Sequence, residues 1–171
     1  PDMAYTSVVT HGVALIRSLI ADPEVGIIFR PHPRTGVVDP DARDAVAEIR
    51  RLLQEDIDRG RPHLLDPTTS FDWQLAAADA CICDVSAVAF DWASTKKPLL
   101  IAPPEAEGAH VESGGLMSRV PQLTSQDAPE TAAILHGLIK EGVDEEYAQV
   151  AHHYFGDTSP GSSLQRWLDA A

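Results

Sequence analysis

Apolar residues recur along the chain in two rhythms. Val8, Val9, Val13, Leu15, Ile16, Leu19 and Ile20 follow the three-to-four-residue spacing of one helix face. Thr6 or Ser7 stands where an N-cap belongs, and Pro23 ends the segment. Residues 25–30 form a short, β-branched apolar run, the pattern of a buried strand of a parallel sheet. Two prolines make 30–36 a loop. Asp39 and Pro40 open the next helix; Ala45, Ile49, Leu52, Leu53 and Ile57 carry its apolar face, and Gly60 closes it. A weaker strand covers 63–66, Ser70 caps a short helix through Ala78, and a third strand covers 80–83. Ser86 caps a helix in which Val88, Ala89, Phe90 and Trp92 lead on to Thr95, and 98–102 is a fourth strand. A loop with Pro103, Pro104, Gly108, Gly114 and Gly115 precedes a short edge strand near 120–123. Three helices follow, at about 127–141, 144–154 and 161–170.

Helices alternating with strands predict an α/β layered domain with a parallel sheet and right-handed crossovers. Such a sheet binds ligands beyond the carboxyl ends of its strands. The pattern opens on a helix, where a doubly wound domain has a central strand. Residues 1–171 are therefore expected to be one domain of a longer protein.

Composition narrows the classes. The 171 residues hold 26 acidic and 13 basic side chains, a net charge of −13, which argues against nonspecific nucleic-acid binding. No apolar run is long enough for a membrane span, and Cys81 and Cys83 alone make no disulfide framework; a cytoplasmic setting is the simplest expectation. The charge is uneven: residues 1–66 have 8 basic and 11 acidic groups, residues 67–171 have 5 and 15. The early positive charge is available to a local anion.

Two constellations sit at carboxyl ends of expected strands. In the first, Arg30, His32 and Arg34 alternate with Pro31 and Pro33, which fix the backbone between them. Guanidinium forks bind phosphate in a bidentate way, and an imidazole donates a hydrogen bond or acts as an acid near neutral pH. The second runs from Asp84 through Ser86 and Ala87 to Asp91. A strand, a tight turn and a helix start offer free N–H groups to an anion, and Asp91 is placed to accept from sugar hydroxyls. Each also has a plainer interpretation: a surface loop paired with the acidic helix, and an ordinary N-cap with solvated aspartates.

These motifs together resemble the donor-binding half of the CDP-glycerol glycerophosphotransferases, the teichoic-acid primases and polymerases. The resemblance rests on Arg30-Pro-His-Pro33, on the stretch from Ala78-Asp79 through Asp84-Val-Ser-Ala87 to Phe90-Asp91, and on Lys97-Pro98. It covers about residues 25–101, and the turn before the last helix, Phe155 to Gly161, fits as well. It implies a Rossmann-like parallel sheet sandwiched by helices, the C-terminal half of a GT-B fold. It also implies transfer of glycerol phosphate from a CDP-activated donor to an acceptor hydroxyl in cell-wall polymer synthesis.

By position, Arg30, His32 and Arg34 match the segment that meets the donor diphosphate, with His32 catalytic. Ser86 matches the phosphate-binding helix start, and Asp91 the acidic residue after the phenylalanine. Asp84 matches the aspartate before Tyr-Ser-Ser, which reads Val85-Ser86-Ala87 here; Ala87 loses a hydroxyl but keeps its backbone N–H. The acceptor-side domain and the family's His-Gly motif, to which the base is assigned, are not recognisable. His11-Gly12 lies in a helical pattern and is not equated with that motif.

The resemblance implies no cofactor and no metal, with cationic side chains and the helix start in their place. The missing N-terminal acceptor domain is the expected partner, and the full-length protein is placed at the inner face of the membrane. A UDP- or GDP-sugar glycosyltransferase domain and a non-catalytic nucleotide-binding module remain the alternatives.

Other signals weigh less. Cys81 and Cys83 are expected as core thiols on one strand face, His110 and Glu112 as loop, and His152 and His153 as a surface pair near a helix end. Trp73, Trp92 and Trp167 are expected in the core or in helix packing. No Gly-rich dinucleotide fingerprint or Walker motif is present.

Overall fold

A computed structural model of the chain describes residues 6–66, 70–109, 111 and 113–170. The expected His110–Glu112 loop signal lies outside the described residues. The first helical segment has two parts. A π-helical turn, Val8–Gly12, leads into α1 (Val13–Ala21). The N–H groups of His11 and Gly12 both reach the Ser7 carbonyl, at 3.0 and 3.2 Å. Such a turn is wider than an α turn and recurs at functional sites.

The second helix, α2 (Pro40–Ile57), starts as its sequence dictates. The Asp39 carboxylate accepts the Asp41 N–H at 3.0 Å, and Pro40 occupies a position whose N–H has no helical partner.

Strand β1 (Ile28–Phe29) pairs in parallel with β2 (Leu64–Leu65), Ile28 opposite Leu64. Strand β3 (Cys81–Asp84) pairs in parallel with β4 (Leu99–Ala102), Cys81 opposite Leu99 and Asp84 opposite Ala102. The described residues thus form a mixed α/β fold with two short parallel ladders, where the sequence predicts one sheet. The first ladder is bracketed by residues without a backbone donor, Pro62 before β2 and Pro31 after β1. The Ile27 N–H is also taken by a side chain, donating to His63 Nδ1 at 3.2 Å. The expected edge strand shrinks to one parallel bridge between Ile101 and Gln122.

Side chains of β3 alternate between two cores. Cys81 and Cys83 pack with α4 (Ala87–Ala93), α5 (Leu116–Arg119) and α7 (Glu145–Phe155), around Trp92, Ile101, Leu116 and Tyr147. Ile82 packs on the other side with Ile16, Leu19, Ile49 and Leu53 of α1 and α2; Leu135 of α6 (Thr131–Glu141) joins them. Each buried Leu or Ile of this size contributes about 1.5–3 kcal/mol of transfer free energy.

Several local expectations change. Asp72, not Ser70, caps α3 (Trp73–Ala77): its carboxylate accepts the Trp73 N–H at 2.8 Å, and the Ser70 hydroxyl donates to that carboxylate. A carboxylate is the stronger acceptor and stands next to the first turn. Ser86 holds the N-cap position of α4 without a side-chain cap bond.

Trp92 is buried, and its indole N–H donates to the Pro98 carbonyl at 2.9 Å. Trp167 is not a core residue: it is 68% exposed. With Leu164 and Leu168 it forms an apolar stripe on α8 (Ser162–Ala170), a helix with no buried residue. His152 and His153 are exposed in the last turn of α7. Among the described residues no helix is long and apolar enough to cross a membrane.

Candidate functional site

The proline-bracketed loop leaves the end of β1. Arg30 Nη1 donates to Asp66 Oδ2 at 2.8 Å, and its guanidinium lies 5.7 Å from the centroid of the Phe71 ring. Asp66 is buried and also accepts from Gln74 Nε2 at 2.5 Å. Arg30 is thereby anchored at the carboxyl ends of β1 and β2. Sequence reasoning missed Asp66 because it stands 36 residues away.

Beyond Arg30 the loop is exposed, and it is stiff. The Arg34 N–H donates to His32 Nδ1 at 3.1 Å, and the Thr35 N–H donates to the His32 carbonyl at 2.9 Å. A neutral imidazole that accepts at Nδ1 carries its proton on Nε2. His32 therefore faces solvent as a donor, and Arg34, two residues on, is exposed as well, its guanidinium without a hydrogen bond or ion pair among the described residues. Gly36 has φ +78°, and a Cβ there would stand 2.7 Å from Arg43 Cα. Only glycine allows the loop this close to α2, where Arg43 Nε donates to the Gly36 carbonyl at 3.0 Å.

The segment before α1 joins the two constellations. Thr6 lines a shallow depression with Arg34, Thr35, Gly36 and Asp39. The next residue, Ser7, donates its N–H to Asp84 Oδ1 at 3.0 Å and its hydroxyl to the same oxygen. The Ser7 hydroxyl thus holds the end of β3 and does not cap the helix.

Ser86 and Ala87 follow at the β3–α4 turn, where the Ser86 hydroxyl lies against the Cys83 thiol. The neighbouring Cys81 thiol and burial push the Cys83 pKa well up, so it stays a protonated core thiol. Asp91 is exposed on α4, and among the described residues its carboxylate makes no hydrogen bond or ion pair. Thr6 and Ser7 thus link the Arg34 loop to Asp84 at the end of β3, with Ser86 in the turn that follows, while Asp91 is exposed further along α4.

Two further residues reach this end. His11 is 1% exposed, and Glu105 follows β4. The Glu105 carboxylate accepts the Ser125 N–H at 2.7 Å, which holds its pKa below the usual range. Burial pushes the His11 pKa down, partly opposed by the charges of Glu105 and Asp84. A signal for His11 exists in the sequence: it lies four residues before Leu15 and eight before Leu19, on the apolar stripe.

As a possible metal site, Asp22, Glu24 and His136 bring ligand atoms within 4.8 Å of one another. This corner precedes β1, at the opposite end of the strands, and His136 Nε2 is already bonded to Asp22 at 2.7 Å.

In open α/β folds, ligands bind beyond the carboxyl ends of the parallel strands, the end at which the Arg30 loop, Asp84 and Ser86 stand. The chain belongs to the CDP-glycerol:poly(glycerophosphate) glycerophosphotransferase family, whose model matches residues 20–151. That family is one of transferases that use a CDP-glycerol donor. The comparisons with curated proteins and with solved structures gave no match. Thr6, Ser7 and His11 precede the matched span.

Proposed function

We propose that residues 1–171 form the nucleotide-donor-binding, Rossmann-like C-terminal half of a GT-B-type glycerophosphotransferase. The observation that carries this reading is the stiff loop at the end of β1. There His32 is fixed as an Nε2–H donor by the Arg34 N–H, and the Arg34 side chain is exposed on the same loop. Family membership supplies the donor class.

In the reaction, an acceptor hydroxyl oxygen bonds to the phosphorus that carries glycerol. The bond from that phosphorus to the bridging oxygen breaks, and CMP leaves with the electron pair. The hydroxyl proton goes to a base on the acceptor-side domain of the full-length protein. Negative charge grows on the departing nucleotide, and preorganised donors aimed at such charge lower the barrier. His32 and Arg34 supply them, with Arg30 anchoring the loop. The N–H groups at Ser86 and Ala87 add to the field, and Asp91 orients hydroxyls. The setting is cytoplasmic cell-wall polymer synthesis, at the inner face of the membrane.

Calorimetric titration of the protein with CDP-glycerol, CDP, UDP-sugars and GDP-sugars tests this. We expect CDP-glycerol to bind and these 171 residues alone to turn over none of it. Binding of a UDP-sugar without any response to CDP-glycerol would sink the reading in favour of a sugar transferase. Unchanged turnover of the full-length protein after His32→Ala and Arg34→Ala would favour a non-catalytic module.

A further inference from the structure

His11 is the one buried side chain among the described residues whose polar atom lacks a hydrogen-bond partner: Nε2 has none. What Nε2 is depends on the bond its other nitrogen makes. His11 Nδ1 lies 2.8 Å from Thr10 Oγ1, and Thr10 Oγ1 lies 3.1 Å from the Ser7 carbonyl. A hydroxyl has one proton, and a carbonyl can only accept. Where Thr10 gives its proton to the Ser7 carbonyl it accepts from His11, and Nδ1 carries the imidazole proton; where it donates to Nδ1, the proton sits on Nε2. In the first arrangement Nε2 is a bare lone pair. Leaving such an acceptor buried and unpaired costs about 1–3 kcal/mol.

Its place in the fold is specific. His11 stands in the π-helical turn, and Ser7 at the start of that turn is bonded to Asp84 at the end of β3. Glu105, the first charged residue after β4, acts on it from the neighbouring strand end. α2 packs against the same turn with an apolar side chain, Ile49, close to Gly12. The charges of Glu105 and Asp84 act on the ring and repel an anion. Phosphate is the wrong partner for it, and a hydroxyl is the right one.

We propose that His11 is a ligand-binding residue whose Nε2 accepts a hydrogen bond from a hydroxyl of the bound nucleotide-polyol donor. This rests on the donor-binding reading above and deepens it. The site then holds two histidines of opposite polarity: His32 gives a proton to phosphate oxygen, and His11 takes a hydrogen bond from a hydroxyl.

The test is a long-range ¹H–¹⁵N spectrum of the histidine side chains in the protein, with the His11 signals assigned by their loss in His11→Phe. It is recorded free, with CDP-glycerol, with CDP and with 2′-deoxy-CDP. We expect the Nδ1–H tautomer in the free protein and a displaced Nε2 resonance with CDP-glycerol. Displacement by CDP-glycerol alone assigns the hydroxyl to the polyol. Equal displacement by CDP, lost with 2′-deoxy-CDP, assigns it to the ribose.

Removing one neutral hydrogen bond lowers affinity about threefold to tenfold, so His11→Phe should weaken CDP-glycerol binding by that factor. His11→Gln keeps an acceptor and should recover most of it. An Nε2–H tautomer in the free protein overturns the proposal, as does full CDP-glycerol affinity in His11→Phe. A wild-type complex with CDP-glycerol whose Nε2 signal has not moved also overturns it, and marks a histidine satisfied by buried water while the donor-binding reading stands. No binding of CDP-glycerol by the wild type overturns the donor-binding reading itself, and this assignment with it.

Discussion

Among the described residues two histidines are buried, one at each end of the strands, and the fold treats them oppositely. His63 precedes β2, and its side chain is fully enclosed. Its Nδ1 accepts the Ile27 N–H at 3.2 Å, and its Nε2 donates to Asp56 at 2.8 Å; Asp56 also meets Arg59 and Arg61 at 3.3 Å each. Every polar atom there has a partner. His11, at the carboxyl ends of the strands, has one nitrogen bonded and one not. The fold pairs both nitrogens of one buried histidine and leaves one nitrogen of the other open, the position that the proposal above gives to a ligand hydroxyl. Buried polar groups are ordinarily paired, so an open nitrogen calls for a partner.

The largest expected effect follows at the satisfied end. His63→Ala opens a cavity, strips the Ile27 N–H of its acceptor and removes one partner of a buried carboxylate. We expect a loss of about 3 kcal/mol or more, read as a lower urea midpoint. A loss under about 1 kcal/mol would erase the contrast between the two histidines.

The next effect is at Lys97. Its ammonium donates to the carbonyls of Leu75, Ala76 and Ala78 at 2.9, 3.3 and 2.8 Å, satisfying the last turn of α3. It also lies 5.7 Å from the centroid of the Trp92 ring. The Lys97-Pro98 pair that resembles the transferase family thus has a structural role here. Lys97→Met should lower stability by about 1–3 kcal/mol, since those carbonyls lose their donor.

His11 should behave differently from both. His11→Phe removes an unpaired nitrogen and keeps the ring, so stability should change by less than about 1 kcal/mol in either direction at pH 7.5. The contrast also has a pH signature. Burial lowers the His11 pKa from its ordinary 6.5, so the unfolded chain binds the proton first. Stability is therefore lost as pH falls below 6.5, and His11→Phe should lack that share of the loss.

At the other end, burial raises the Asp56 pKa, but hydrogen bonds from His63 and Arg59 outweigh it and hold it below 3.8. Its contribution is present above that pH and is lost as the pH falls through the lowered value. Urea titrations of wild type and His11→Phe between pH 4.5 and 7.5 read the His11 window alone, because the Asp56 window lies below 3.8. Parallel pH profiles would remove His11 from the account.

What was legible in the sequence was local. The Asp39–Pro40 start, the Pro31 and Pro33 bracket and the helix faces follow from backbone chemistry within a few residues. What was not legible depends on contacts across the chain. Ser7 looks like a cap, because its partner Asp84 lies 77 residues on. Ser70 looks like a cap, because serine and aspartate compete for one role two residues apart. Trp167 looks like core, since an amphipathic stripe shows that a face is apolar but not whether anything covers it. His11 was visible on an apolar stripe, yet its meaning lies in the empty partner position, which no sequence pattern records.

The smallest expected effect on stability is at the exposed loop, and it sharpens the comparison most. His32 and Arg34 lie on the surface, and among the described residues no side-chain donor of either is used within the fold. His32→Ala and Arg34→Ala should each change stability by less than about 0.5 kcal/mol. Each should lower CDP-glycerol affinity by about tenfold or more, because a hydrogen bond to a charged phosphate contributes about 1.5–3 kcal/mol. His32→Ala should also release the Arg34 backbone N–H, loosening the loop that aims the guanidinium. The double variant should then lose less than the product of the two single losses. Strict additivity would mean that His32 and Arg34 act independently, and that the hydrogen bond between them does not organise the site.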